Sequence, residues 1–441
     1  MKKYKNLVPI ALVALMGIGV YSTISEAANT DAEYEKYLKK ARKDVKLEVI
    51  EEAVDYYGKA LELKDTPELC IEVGNVYADN GWDSEAVEWG EKLIDKYPNE
   101  PKVYEFLLKQ YIDSEQYKEC FSLRKQAEAR KVENKKFKSL MSKIEYMYTF
   151  GYDEYTDVSV YSGGLCAVKS EDLWGYANLR GETEISAQFS WAGPFSTEGV
   201  APIKNEKGEF YYISETGNKK IALQNLKKCT ALGVSINGIL PAADNEVYAY
   251  YDEDFKKISG DYSYASAING EVGAVKEKDS WKLVDSKGKA LTKDTFESVV
   301  IDDKGIAYRN ERAFVQRDDK YFMVNNAGKK VGKKVGKQDY EDARLFLEAD
   351  GYAAVKKDGK WGFIDKDGKV IIEPQYAEAH SFSNGYAAVK KDGKWGFIDK
   401  SGKLVIEAEF SDVRDFNEQG NCFVQIENQW KLLKLLRNNY A

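Results

Sequence analysis

The chain has 441 residues, enough for about two to four domains of roughly 100–200 residues each. Its composition, 43% hydrophobic and 31% charged, is that of a globular protein, and its net charge of −8 argues against a protein that coats DNA or another nucleic acid. The one histidine, His380, argues against histidine-based metal sites and against histidine general-base catalysis.

Residues 1–28 have the pattern of an export signal. Three lysines among the first five residues precede an apolar run from Leu7 to Tyr21, and small residues provide a cleavage point after Ala27. The alternative is an uncleaved transmembrane anchor over Leu7–Ile24, whose 18 residues would just cross a hydrocarbon core of about 30 Å as a helix. Both interpretations place the rest of the chain outside the cytoplasm, membrane-anchored or secreted at the cell surface, because the lysines stay inside.

Residues 30–148 are predicted to form helical repeats, because apolar residues recur there at helical spacing. A period of 33–34 residues is marked by Ala53, Ala86 and Cys120, and by Ala60, Leu93 and Ala127. The pattern resembles the tetratricopeptide repeat, in which antiparallel helices approach closely at small residues. Three units are expected, 34–66, 67–100 and 101–133, followed by a polar capping helix at 134–148. The resemblance implies a face that binds peptides or partner helices; a spacer or a self-association surface are the alternatives.

Residues 150–441 are predicted to form β-repeats. Residues 351–368 read GYAAVKKDGKWGFIDKDG, and residues 385–402 differ from them only by Ser401 in place of Asp367. Each unit is expected to be a three-stranded meander of about 35 residues, with a type I′ hairpin at Asp358-Gly359. A glycine inside a strand marks the close approach of a neighbour, and for Gly362 we expect that neighbour to be a packed indole.

The repeated Trp-Gly pair resembles the WG (KWG) repeat family. The match is close around Trp361 and Trp395 and good around Trp174, and weaker copies have their anchor aromatic at Phe210, Tyr248, Trp281, Tyr321 and Trp430. Eight units therefore cover about 155–437. They are expected to form either a closed, propeller-like ring or an open superhelical stack. The family is defined by its repeat, so the resemblance implies no particular activity.

No cofactor or metal site is predicted. The five cysteines, an odd number without a CxxC pair, predict no disulfide framework. The Asp-Lys-Asp-Gly sequence at 365–368 resembles a calcium loop but lacks one acidic position, so a hairpin turn is expected. The chain has neither of the glycine-rich nucleotide motifs, GxxxxGK[ST] and GxGxxG. His380 is interpreted as a surface or satisfied histidine without a catalytic partner set.

The sequence predicts a non-catalytic, extracytoplasmic scaffold that binds an unknown protein partner. The alternatives are a protein that binds cell-wall or other glycans and, second, an enzyme. Tyr250, Tyr251 and Tyr262 are the candidate binding residues, because exposed tyrosines stack on sugars and anchor protein interfaces. Solvent-facing aromatics at the unit period would favour glycans, an apolar helical face would favour protein partners, and polar residues converging in one pocket would favour an enzyme.

Overall fold

The computed structural model describes residues 24–221, 223, 226, 228–332, 339–349 and 351–439. The chain divides into two compact units, a helical unit that ends at Met147 and includes the last helix, and a β-unit over Tyr148–Leu435. The apolar run Leu7–Tyr21 lies outside the described residues. No helix in the described part of the chain has the length and apolar composition that a membrane span requires.

The helical unit consists of antiparallel helices, and the residues of the 33–34 period are buried at their contacts. The helices are α1 Ile24–Lys46, α2 Ile50–Leu63, α3 Pro67–Asp79, α4 Asp83–Lys96, α5 Pro101–Asp113, α6 Tyr117–Arg130, α7 Lys135–Met141 and α8 Leu436–Asn439. α3 and α5 begin at a proline, which tolerates the first helical position because its missing N–H has no partner there. These helices confirm the predicted helical repeats.

The β-unit is a propeller of eight small sheets, named blades 1–8 in chain order. From the inner to the outer strand, the blades are: blade 1, β2 Asp157–Ser162, β3 Leu165–Ser170, β4 Leu173–Asn178 and β5 Thr183–Phe189; blade 2, β6 Trp191–Ala192, β7 Val200–Lys204, β8 Phe210–Ser214 and β9 Lys219–Ile221; blade 3, β10 Cys229–Leu232, β11 Leu240–Asp244 and β12 Val247–Tyr251; blade 4, β13 Tyr264–Ala265, β14 Gly273–Glu277 and β15 Ser280–Val284; blade 5, β16 Ser298–Val299, β17 Ala313–Arg317 and β18 Lys320–Val324; blade 6, β19 Asp342–Ala343, β20 Ala353–Lys357, β21 Lys360–Ile364 and β22 Val370–Tyr376; blade 7, β23 Glu378–Ala379, β24 Tyr386–Lys391, β25 Lys394–Asp399 and β26 Leu404–Phe410; blade 8, β27 Asp412–Val413, β28 Asn421–Ile426, β29 Gln429–Leu435 and β1 Tyr148–Tyr155.

The structure decides between ring and stack in favour of the closed ring. The first strand, β1, is the outer strand of the last blade, where Tyr148 pairs with Leu435 and Tyr155 with Trp430. An apolar cluster that includes Cys166 and Phe423 then joins blade 8 to blade 1. The ring is therefore closed by hydrogen bonds between the two ends of the β-unit.

The repeat unit contains one strand more than the predicted meander. Five blades are four-stranded, because a short inner strand precedes the three expected ones. In blades 3–5 the outer strand is reduced to single bridges, such as that between Tyr248 and Tyr262. The predicted type I′ hairpin is present, since Asp358 and Gly359 have φ values of 50° and 73°. An inner strand of only two residues, such as Glu378–Ala379, is too short to show an alternating pattern in the sequence.

The glycine of the Trp-Gly pair meets a backbone rather than an indole, so this detail of the prediction was wrong. A β-carbon on Gly362 would lie 2.6 Å from the carbonyl oxygen of Ile372, and one on Gly396 would lie 2.6 Å from that of Ile406. Both glycines sit where the register shifts between the third and fourth strands of the blade. The irregular register brings the two backbones too close for any side chain.

All five cysteines are free thiols, and four of them are buried. Cys166 and Cys422 occupy the strand position that Ala387 has in blade 7. They fill the core as small side chains.

We expect Gly396→Ala to lower the free energy of unfolding by about 1–3 kcal/mol, because its β-carbon would collide with a neighbouring strand. Urea unfolding of the full chain measures the change. Gly260→Ala is the matched control, since the nearest atom to its β-carbon is 3.8 Å away. A loss in Gly396→Ala no larger than in this control would contradict the close approach.

Candidate functional site

The inner strands surround a channel whose lining differs between the two halves of the ring. Each inner strand contains a buried apolar residue, such as Ala379 in blade 7. The residue that directly follows this buried residue differs from blade to blade. In blades 2–4 this residue is small: Gly193, Gly233 and Ser266. In blades 6–8 it is basic: Arg344, His380 and Arg414. The repeats therefore share a frame but place different chemistry at the channel.

Each of the three basic side chains lies against the anchor tryptophan of its own blade. The guanidinium carbon of Arg344 is 5.6 Å from the ring centre of Trp361, and that of Arg414 is 4.2 Å from the ring centre of Trp430. The His380 ring is centred 4.9 Å from Trp395. The tryptophan face attracts a cation, so the anchors hold these side chains at the channel.

The basic side chains surround one carboxylate. His380 Nδ1 and Asp415 Oδ1 are 2.9 Å apart, so the predicted lone histidine has an acidic partner. Burial by itself would raise the pKa of the Asp415 carboxyl, but His380, Arg344 and Arg414 outweigh it and hold that pKa below its usual value. Arg414 also donates from Nε to the carbonyl oxygen of Val158, 3.1 Å away, which links blade 8 to blade 1.

Blade 5 sends a long loop across the channel. This crossing loop, residues 300–312, has 13 residues, whereas residues 380–385 make the same connection in blade 7 with six. Ile306 packs against Val234 of blade 3 and Ala267 of blade 4, and the Ala267 N–H donates to the carbonyl oxygen of Gly305 at 2.8 Å. The loop thus fills the half of the channel that is lined by small residues.

The other half of the channel contains two adjoining cavities. The loop-end cavity, about 200 Å³, is lined by Gly163, Gly164, Lys304, Arg309 and Asn417 among others. The indole-side cavity, about 570 Å³, is lined by Trp174, Arg344, His380 and Arg414 among others. Val160, Asp302, Asp303, Leu347 and Asp415 line both. Trp174 reaches this cavity because blade 1 has the small Ser159 where blades 6–8 have a basic residue.

The crossing loop is held in shape by Asp302. Its Oδ1 accepts hydrogen bonds from the backbone N–H groups of Lys304 and Ile306, each at 2.9 Å, and its Oδ2 accepts one from Arg309 Nε. Burial and the nearby Arg309 lower the pKa of Lys304. Lys304 and Arg309, both on the loop, line the loop-end cavity.

The predicted binding tyrosines lie elsewhere, in the core. Tyr250, Tyr251 and Tyr262 are all buried, Tyr250 and Tyr262 against each other between blades 3 and 4. Their faces are covered by neighbouring strands and are not available to a sugar or a partner. The sequence made them candidates for binding only, because a cluster of aromatic residues does not by itself distinguish core positions from exposed ones.

The anchor aromatics occupy equivalent places on their strands. Trp361, Trp395 and Trp430 are buried, whereas Trp174 and Trp281 are half-buried. Each of these five pairs with a lysine or glutamine of the preceding strand, as Trp395 does with Lys390. Across the described ranges, no row of exposed aromatic rings follows the unit period.

The face that α3, α5 and α7 share is charged rather than apolar. Glu68 of α3 pairs with Lys102 of α5 at 3.0 Å, and Glu105 of α5 pairs with Lys136 of α7 at 3.2 Å. Ion pairs therefore connect the starts of these three helices, where an apolar surface would have favoured a bound partner helix.

Sequence reasoning missed most of the channel residues, among them Asp302, Lys304, Arg309, Asn417 and Arg344. One signal was available. Superposing the repeat units shows that the residue two before Phe382 in blade 7 is His380, and that the corresponding residues in blades 6 and 8 are Arg344 and Arg414. The length of the crossing loop, by contrast, exceeds that of the corresponding connection in blade 7 by seven residues.

Comparison with known proteins agrees with the repeat assignment. Residues 174–208, 339–361, 361–395 and 395–430 match the family described as WG containing repeat. No curated protein is significantly similar to the chain.

Solved structures show only distant likenesses. Kluyveromyces lactis Hsv2 is 8% identical, over 63% of this chain and 99% of that chain, with a TM-score of 0.37. Saccharomyces cerevisiae Sqt1 is 13% identical, over 66% and 98%, with a TM-score of 0.39. PorZ, a bacterial surface component of the type-IX secretion system of Porphyromonas gingivalis, is 11% identical, over 64% and 42%, with a TM-score of 0.33. Likenesses this distant say nothing about ligand or activity.

We expect Asp415→Asn to lower the free energy of unfolding at pH 7 by about 1–3 kcal/mol, because it removes the negative charge that faces His380, Arg344 and Arg414. A carboxyl whose pKa is lowered by folding stabilises the folded state. The stabilisation is complete at pH values above the unfolded-state pKa of about 4, and it is lost as the pH falls through the lower folded-state pKa. The difference from the native chain should therefore be largest at pH 7 and shrink below about pH 4.

Urea unfolding at pH 7 and at about pH 3.5 measures both values. The matched control is Asp303→Asn, an exposed carboxylate of the same cavities, expected to change stability by less than about 0.5 kcal/mol. A constant difference for Asp415→Asn at both pH values would contradict the assignment.

Proposed function

The chain is a WG-repeat protein, and we propose that it is a non-catalytic scaffold whose propeller binds a protein partner at the channel. The observation that carries this proposal is the convergence of side chains that the repeats do not share, such as Arg344, His380 and Lys304, on one polar half of the channel. A structural repeat needs no such convergence. Propellers present ligands and partners with a rigid surface, and a partly open channel is the natural place for recognition.

An enzyme also needs polar residues that converge on one cavity. The hydrogen-bond partners of these side chains therefore help to decide between binding and catalysis. The hydroxyls of Ser162 and Ser383 each donate to a backbone carbonyl oxygen, at 2.6 and 2.8 Å. His380 is engaged by Asp415, and Arg309 by Asp302. Because both serine hydroxyls donate to backbone carbonyl oxygens and neither is hydrogen-bonded to His380, these groups do not form a nucleophile–base pair, which favours binding over nucleophilic turnover.

A protein partner is favoured over a glycan by the burial of the aromatic side chains. Sugar binding relies on exposed aromatic faces; the anchors Trp361, Trp395 and Trp430 are buried, and Trp174 is the anchor whose half-buried ring lines the indole-side cavity. Charged side chains around a cavity are suited to a polar segment of a protein.

For the location we propose the extracytoplasmic side of a membrane, with the chain anchored or secreted. The support is the sequence of the first 28 residues, in which lysines precede the apolar run Leu7–Tyr21. A binding protein of this kind would meet its partner in the cell envelope.

Affinity capture from solubilised envelope extract tests the function. We expect the immobilised full chain to enrich one defined protein, and Arg344→Glu to reduce that enrichment at least tenfold, because it reverses a charge in the indole-side cavity. The matched control is Lys207→Glu, the same reversal at an exposed turn. Equal capture by the native chain and Arg344→Glu would exclude the channel, and retention on purified cell wall instead of a protein would favour the glycan alternative.

A reporter fusion tests the location. We expect alkaline phosphatase, which is active only outside the cytoplasm, to be active when fused after residue 29 and inactive when residues 7–21 are deleted from the same fusion. Recovery of the native chain in the membrane or in the medium then separates anchor from secretion. Activity of the deleted fusion would contradict the export signal.

A further inference from the structure

Two buried donors in the loop-end cavity lack an acceptor. Arg309 Nη2 and Asn417 Nδ2 are buried atoms with no hydrogen-bond partner among the described residues. Both residues line the loop-end cavity, and Asn417 is only 6% exposed. Burying an unpaired donor is unfavourable, so a cavity lined by two residues with such donors suits a ligand that accepts hydrogen bonds.

The orientation of both donors is fixed by their other bonds. Asn417 Oδ1 accepts from the backbone N–H groups of Gln419 and Asn421, at 2.9 and 3.0 Å, so its amide cannot turn to offer an oxygen instead. Arg309 Nε is held by Asp302, and Arg309 Nη2 is left without an acceptor among the described residues. The missing partner is therefore an acceptor and not a donor.

Lys304 adds a third donor, and the second cationic side chain, to the same cavity. In the described part of the chain, no carboxylate lies within ion-pair distance of its amino group, because Asp302 pairs with Arg309 and Asp415 with His380. Asp303 and Glu418 complete the acidic lining and are exposed at the rim. A carboxylate ligand would therefore supply the ion-pair partner that the Lys304 amino group lacks among the described residues.

The balance of charge selects the class of anion. The loop-end cavity is lined by four carboxylates, Asp302, Asp303, Asp415 and Glu418, and by two cationic side chains, Lys304 and Arg309, and the adjoining indole-side cavity adds Asp157, Arg344 and Arg414. A dianion such as phosphate would meet more negative charge than the site can neutralise. A single carboxylate matches one free ammonium group and two N–H donors. The cavity volume of about 200 Å³ admits a group of side-chain size.

We infer that the loop-end cavity binds a carboxylate, presented by an acidic segment of the protein partner, between Lys304, Arg309 and Asn417. This inference rests on the proposed function for the identity of the partner. The crossing loop positions Lys304 and Arg309, so the insertion that is unique to blade 5 is the element that creates the site.

Calorimetric titration of the full chain tests the site with four probes. They are sodium acetate, inorganic phosphate, and the capped peptides acetyl-Gly-Gly-Glu-Gly-Gly-amide and acetyl-Gly-Gly-Gln-Gly-Gly-amide. We expect the glutamate peptide to bind more tightly than acetate. Phosphate and the glutamine peptide should each bind at least tenfold more weakly than the glutamate peptide. The reason is the second negative charge for phosphate, and the loss of a charge-assisted hydrogen bond for the glutamine peptide.

Lys304→Gln is the diagnostic variant, since the backbone turn made by Asp302 does not need the lysine side chain. Lys304→Gln should weaken binding of the glutamate peptide about tenfold, whereas the control Lys207→Gln should leave that affinity unchanged. Asn417→Asp, which replaces the free donor by a repelling oxygen, should weaken it as well. Unaltered unfolding transitions of the variants show that these losses are local.

Three results would overturn the inference: equal affinity of the native chain and Lys304→Gln, tighter binding of phosphate than of acetate, or no affinity for either peptide. Acetate binding without peptide binding would overturn the partner segment in favour of a small free acid. If the chain captures a protein partner but binds no carboxylate, only this inference is contradicted. If the chain binds the glutamate peptide but captures no protein, the proposed function is contradicted instead.

Discussion

The pairing of β1 with β29 is the constraint on which the rest of the β-unit depends. Eight small sheets can stack in an open spiral, but the register from Tyr148–Leu435 to Tyr155–Trp430 makes the last blade from both ends of the β-unit. Closure creates the channel and removes the two free edges that an open stack would expose. It also brings Arg414 of blade 8 within 3.1 Å of the Val158 carbonyl oxygen of blade 1, at the polar half of the channel.

The two residues of the Trp-Gly pair have different roles in this ring. Gly362 and Gly396 let the last two strands of a blade approach with an irregular register, which no side chain would permit. The tryptophans beside them, Trp361 and Trp395, contact the side chains that directly follow the inner strands, Arg344 and His380. The motif that stabilises the blades therefore also positions polar side chains at the channel. A repeat protein can in this way acquire a binding site without a change in the structure of its repeats.

The channel is asymmetric because one loop is long. Ile306 of the crossing loop packs on blades 3 and 4, where small residues leave room for it. The opposite side of the same loop offers Lys304 and Arg309 to blades 8 and 1. Nearly balanced charges in the two cavities argue for recognition of a polar segment rather than for electrostatic attraction of a polyanion, in agreement with the net charge of the chain.

The sequence by itself determined the two-part organisation, the periods of both repeats, the hairpin at Asp358-Gly359 and the eight anchor positions, because these depend on local spacing and turn chemistry. Only the tertiary structure decided that the ring closes, that Gly362 faces a backbone, that Tyr250 and Tyr262 are core residues and that His380 meets Asp415. Each of these depends on residues far apart in the chain or in neighbouring blades, and a spacing pattern within one unit contains no information about which unit lies next to it or across the ring.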